Sequence, residues 1–106
     1  MMLTMSSMNC SKNDVVLLPI PFTNLTSRKV RPAIVVGRSG ADLFLVPISS
    51  VIANTDFSLR DWRAAGLNVP SGVKAQLATV EEKLAVKIVG QLTDNDAKVL
   101  NARLRE

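Results

Sequence analysis

The hydrophobic pattern becomes readable at Val15 to Leu18, an apolar run broken by Pro19 and Pro21. Proline removes a ladder donor and fixes φ, so this pattern predicts a short strand running into a loop. After the polar stretch Thr23 to Lys29 comes Pro32-Ala33-Ile34-Val35-Val36, β-branched and bounded by Gly37. Arg38-Ser39-Gly40-Ala41-Asp42 then reads as the turn into Leu43-Phe44-Leu45-Val46, which predicts a β-hairpin with buried strands. Val73 to Val80 and Leu84 to Val89 predict further strands, with Leu84, Val86 and Ile88 on one face and Lys83 and Lys87 toward a solvated one. Between these β regions, Ser58 and Asp61 are spaced like an N-cap and its N3 acid, and Gly66 stands like a C′ residue. That predicts an inserted helix of about two turns. Thr93 and Asp96 repeat the capping signal before Ala97, Leu100 and Leu104, spaced i, i+3 and i+7, and Arg103 and Arg105 complement the dipole of the helix they close. The expected fold class is mostly β: a small barrel of short strands, with an inserted helix and a C-terminal amphipathic helix as its cap.

Composition narrows the class. With 106 residues, 47% hydrophobic and 21% charged, the chain suits one folded domain and excludes wholesale disorder. We expect residues 1–12, rich in methionine, to fray and residues 13–106 to form the domain. A single cysteine, Cys10, and the absence of histidine exclude disulfide scaffolds and His-based zinc sites. The cytoplasm is the expected compartment, because neither a signal-peptide pattern nor a membrane-length apolar run appears.

The net charge of +4 leans toward a polyanionic partner. Its excess sits in the first half, where Lys12, Arg28, Lys29, Arg31 and Arg38 face only Asp14 and Asp42. A merely solvated basic loop has the same composition.

Most enzyme templates fail on inventory. Without histidine there is no Ser-His-Asp or Cys-His arrangement, and Cys10 falls in the segment expected to be mobile. The scattered glycines form no phosphate-cradling loop, and Asp94 and Asp96 are explained as helix-start acids. No cofactor is expected. What remains centres on Arg31, directly before Pro32 at the head of a buried strand, where a rigidly held guanidinium can bind phosphate through paired hydrogen bonds. An ordinary arginine at a strand's start would look the same. Ser49 and Ser50 end the strand begun at Leu43; hydroxyls there either donate to an oxyanion or satisfy a turn.

The blocks Asp14-Val15-Val16-Leu17-Leu18-Pro19-Ile20-Pro21-Phe22-Thr23, Arg31-Pro32-Ala33-Ile34-Val35 and Pro47-Ile48-Ser49-Ser50, in this order and spacing, resemble the PemK/MazF family of bacterial toxins. The likeness continues through Asp61-Trp62, Ala65-Gly66-Leu67, Pro70-Ser71, Thr79-Val80-Glu81 and Val89-Gly90-Gln91-Leu92. It implies an SH3-like barrel with a C-terminal helix, acting as a homodimer. The implied function is that of the toxin in a type II toxin-antitoxin system: a metal-independent endoribonuclease (mRNA interferase) that cuts single-stranded RNA at short sequences. Its second partner would be an antitoxin with an acidic, flexible tail; no membrane partner is implied.

The chemistry implied is attack by the ribose 2′-hydroxyl on the adjacent phosphate, leaving a cyclic phosphate and a 5′-hydroxyl. Arg31 matches the family's catalytic arginine and would stabilise the phosphorane charge; Ser49 would hydrogen-bond the scissile phosphate. Thr23, Arg28 and Lys29 would contact phosphate, as would Ser50, while Phe22 is either a stacking face or core, and Trp62 either packs or meets a base. Two departures stand out. Asn13-Asp14 replaces a frequent Gly-Asp, and in Gly72-Val73-Lys74-Ala75-Gln76, where several members place an arginine and an aspartate, Lys74 keeps a charge but no carboxylate follows. Gln76 can instead read a base edge. A cleaving enzyme and a non-cleaving module of the same fold, engaging an antitoxin or another macromolecule, therefore both stay open.

Overall fold

The computed structural model describes residues 9–19 and 30–105. Within them run β1 (Asp14–Pro19), β2 (Val30–Ser39), β3 (Asp42–Ser49), β4 (Phe57–Ser58), β5 (Gly72–Val73), β6 (Ala78–Glu81), β7 (Lys87–Gln91) and α1 (Asp94–Leu104). The strands form an antiparallel sheet in the order β4-β5-β3-β2-β1-β7, with β6 also paired to β3. Strand alternation gives this sheet two apolar faces. Val16, Leu18, Ala33, Val35, Leu43 and Leu45 bury one side with Val80 and Cys10. Val15, Ile34, Val46 and Ile48 bury the other against Leu59, Ala65, Val73, Leu92 and the α1 residues Ala97 and Leu100. The result is the expected mostly-β barrel with a C-terminal helix.

β3 changes partner along its length: Asp42 to Leu45 pair with β6, whereas Ile48 and Ser49 pair with β5. Pro47 lies at the changeover, where its missing N–H costs no ladder bond, and its carbonyl accepts from the Lys74 amide at 3.0 Å. Asn13 has φ 76°, a left-handed conformation that asparagine tolerates better than most residues, which explains how it replaces glycine there.

Several local expectations change. Gly37 does not bound β2; a register shift between Val35 and Gly37 carries the hairpin on to Ser39 and Asp42. The span Val73 to Val80 is interrupted, and Glu82–Leu84 forms a 3-10 turn before β7. Leu84, Val86 and Ile88 are exposed rather than turned to the core. Ser58 belongs to β4, and residues 60–66 form hydrogen-bonded turns with one α-type bond, Ala65 N–H to Asp61 O, instead of a two-turn helix. Gly66 does close that segment at φ 91°, as expected of a C′ residue. In α1 the Thr93 cap is present, but Leu104 is 40% exposed. No helix among the described residues is long and apolar enough to cross a membrane.

Cys10, expected in a fraying segment, is 2% exposed. Its amide donates to Glu82 Oε2 at 2.9 Å, and Arg38 grips the same carboxylate at 3.0 and 2.7 Å while donating to the Cys10 carbonyl. Arg38 is thus spent inside the molecule rather than adding to a basic surface. The Cys10 amide and the Arg38 guanidinium hold the Glu82 carboxyl below the usual carboxylate range. Burial, reinforced by the Glu82 charge, pushes the Cys10 thiol up to about 11, so it stays protonated at neutral pH.

Because the Glu82 pKa is depressed by folding, its stabilisation is complete above the unfolded-state value and disappears as pH falls through the lower folded value. Glu82→Gln should therefore cost about 1–3 kcal/mol at neutral pH, the scale of charge-assisted hydrogen bonds. In urea unfolding across a pH series, that difference should shrink steadily below about pH 4.3. A pH-independent difference would contradict the assignment.

Candidate functional site

The β2–β3 ladder ends at Ala33↔Pro47, although β2 begins at Val30 and β3 runs to Ser49. Pairing stops at Pro32, which has no amide hydrogen to donate to Ile48 at the next position, while the Pro47 carbonyl is turned to Lys74, and the strands part. A cavity of about 330 Å³ occupies this fork, lined by Arg31, Pro32, Ile48, Ser49, Ser50 and Val51, with Leu17 and Val89 behind and Gly66 to Val69 and Ser71 as the far wall. Arg31 and Ser49 each lie two residues beyond the last paired position, Ala33↔Pro47, on the two diverging strands. Arg31 stays anchored on its other side through its pairing with Leu18 of β1.

Ser49 Oγ accepts from the Val51 amide at 3.0 Å. This bond fixes the oxygen and leaves its hydrogen available as a donor. Among the described residues lining the cavity, Arg31 is the one charged group, accompanied by Ser49, Ser50, Asn68 and Ser71. One cation with hydroxyls and no carboxylate is the chemistry of an anion site.

The far wall is set by the inserted turn. Asp96, 1% exposed, accepts from the amides of Arg60 at 3.0 Å and Asp61 at 2.9 Å, and the Thr93 hydroxyl donates to Asp61 at 2.6 Å. The segment is thereby tied to the start of α1. At its other end, Gly66 and Gly90 pass so closely that a Cβ on Gly66 would strike the Val89 carbonyl and one on Gly90 the Ala65 carbonyl. This approach brings Gly66 to Val69 against β7 and over the fork.

Of the residues expected at the site, the cavity unites Arg31, Ser49 and Ser50. Lys74 and Gln76 are not among its lining; they occupy the exposed loop after β5. Phe22, Thr23, Arg28 and Lys29 lie outside the described residues. Trp62 packs against the core under α1, with the Arg63 guanidinium over its ring. Sequence reasoning missed Asn68 and Ser71, which tertiary packing brings to the fork. It also missed a carboxylate beside Gln76: Asp56 Oδ2 accepts from the Ala75 amide at 2.7 Å.

No protein-family model matches the sequence, and no curated protein matches it. Among solved structures, the chain is similar to the Mycobacterium tuberculosis toxin MazF-mt6, with a TM-score of 0.68 over 86% of this chain and 91% of that one, at 16% identity. The chain has a MazF-like fold. At so low an identity the likeness speaks for architecture alone.

Asp96→Ala should leave two partly buried amides without their carboxylate and lower stability by about 1–3 kcal/mol in urea unfolding. A loss below about 0.5 kcal/mol, the scale of neutral surface changes, would show that Asp96 does not hold the wall.

Proposed function

We propose that this protein is a metal-independent, sequence-specific endoribonuclease acting on single-stranded RNA, the toxin of a type II toxin-antitoxin pair. The observation that carries this reading is the fork cavity, where Arg31 and the fixed Ser49 hydroxyl line one pocket in a MazF-like fold. The RNA supplies its own nucleophile. The 2′-hydroxyl oxygen bonds to the adjacent phosphorus, its proton leaves, and the bond to the 5′-oxygen breaks; that oxygen takes up a proton, giving a 2′,3′-cyclic phosphate and a 5′-hydroxyl. Arg31 opposes the charge that accumulates on the phosphorane oxygens, and the Ser49 hydroxyl donates to one of them.

The resemblance also supports a homodimer and an antitoxin whose acidic tail competes for the cationic groove. Exposed Leu84, Val86 and Ile88 support the dimer, since a small barrel gains by covering apolar surface with a second copy. The alternative reading, a binding module without chemistry, is favoured by two observations: among the described residues no carboxylate lines the cavity, and Asp56 is engaged with the Ala75 amide.

Incubating the protein with unstructured RNA in EDTA, followed by mapping of 5′ ends, should reveal discrete cuts. Arg31→Ala should slow cutting by about 10²–10³-fold, as loss of a transition-state donor does. Absence of cuts by the folded wild-type protein would transfer the assignment to the binding module. In light scattering at micromolar concentration the mass should be that of a dimer, and Val86→Asp should halve it; a monomeric wild type would refute the homodimer.

A further inference from the structure

The proposed reaction leaves the cationic face of the inserted turn unused. Arg60, Asp61, Trp62, Arg63 and Ala64 line an open groove of about 600 Å³. The Arg63 guanidinium lies 4.9 Å from the Trp62 ring centroid, while that ring packs against the core under α1. The Asp61 carboxylate is held by the Thr93 hydroxyl, and among the described residues neither Arg60 nor Arg63 forms an ion pair.

This groove and the fork cavity are two ends of one rigid turn. The Arg60 and Asp61 amides are fixed by Asp96, the Leu67 amide donates to the Trp62 carbonyl at 3.1 Å, and Gly66 to Val69 wall the cavity. A polymer occupying the cavity therefore has a cationic surface beside it, held by the same backbone.

We propose that Arg63 stacked on Trp62, together with Arg60, forms a second subsite for single-stranded RNA, receiving a nucleotide that flanks the scissile one. A base stacks on the outer face of the Arg63 guanidinium, continuing the Trp62–Arg63 pile, and Arg60 contacts a phosphate. The guanidinium is planar and weakly hydrated, so it serves both aromatic rings and bases as a stacking partner. An acidic peptide would use the charge but not the stack, which is why RNA is the occupant favoured. The inference rests on the RNA reading of the fork cavity.

Trp62 is the sole tryptophan, so its emission reports on this groove alone. The test uses a 2′-O-methyl RNA oligonucleotide, which binds but lacks the nucleophile for cleavage, with anisotropy for affinity and Trp62 emission for location. Saturable binding with a parallel change in emission is expected. Arg63→Ala should weaken binding by about ten- to a hundred-fold, the scale of one lost base stack. Arg63→Lys should keep the salt dependence but lose the emission change, and Arg60→Ala should lower the salt slope by about 0.7. Binding with silent Trp62 emission, or unchanged affinity in both alanine variants, would overturn the subsite while leaving the fork reading intact. No binding at all would overturn both. An emission change that depends on Arg63, in a protein that cuts no RNA, would support the subsite and refute only the cleavage. Polyglutamate reproducing the emission change where RNA does not would overturn the subsite in favour of an acidic protein partner.

Discussion

The site depends on a hydrogen-bond ladder that cannot continue. Pro32 removes the amide donor that the next β2–β3 pair would need, and each strand runs on past the last paired position. One divergence thus produces both the cavity and the placement of Arg31 and Ser49 beside it. Since Arg31 remains paired to Leu18, the guanidinium springs from backbone held on one side and open on the other. Such a frame suits electrostatic stabilisation of a reacting phosphate, because the donors need little reorganisation when charge develops.

Two buried carboxylates secure the rest of the scaffold, in different ways. Asp96 accepts backbone amides and fastens the inserted turn to α1, so the far wall of the cavity is as rigid as the helix start. Glu82 gathers the Cys10 amide and the Arg38 guanidinium and pins the chain ahead of β1. Arg38 shows why net charge alone misleads: it contributes to the basic excess of the first half, yet its charge is neutralised by a residue far along the chain. Among the described residues, Arg60 and Arg63 on the inserted turn add exposed cationic groups beyond Arg31, in the half whose charges nearly balance.

Much of this was legible in the residues. The β-branched run before Gly37 and the apolar run from Leu43 specify a hairpin, and Thr93 with Asp96 marks the start of α1, because these signals act over a few residues. Arg31 and Ser49 stood out through their motif blocks, and both line the fork cavity. What was not legible depends on distant packing. Period-two alternation shows that Leu84, Val86 and Ile88 share a side but not whether anything covers it. The Ser58 and Asp61 spacing imitates a capping box, but Asp61 bonds to Thr93 and Ser58 pairs in β4 with Gly72. The carboxylate sought near Gln76 comes from Asp56, nineteen residues before the amide it holds, and no local pattern could announce it.

The central claim is that the fork cavity lets RNA cut itself at a phosphate held by Arg31 and Ser49. Mass spectrometry of the RNA fragments reads this chemistry directly, because an attacking 2′-hydroxyl ends with its oxygen bonded to phosphorus. The account predicts 2′,3′-cyclic phosphate ends paired with 5′-hydroxyl ends. Fragments carrying 3′-hydroxyl and 5′-phosphate ends would mean that water, not the ribose, attacks the phosphate, and would contradict it.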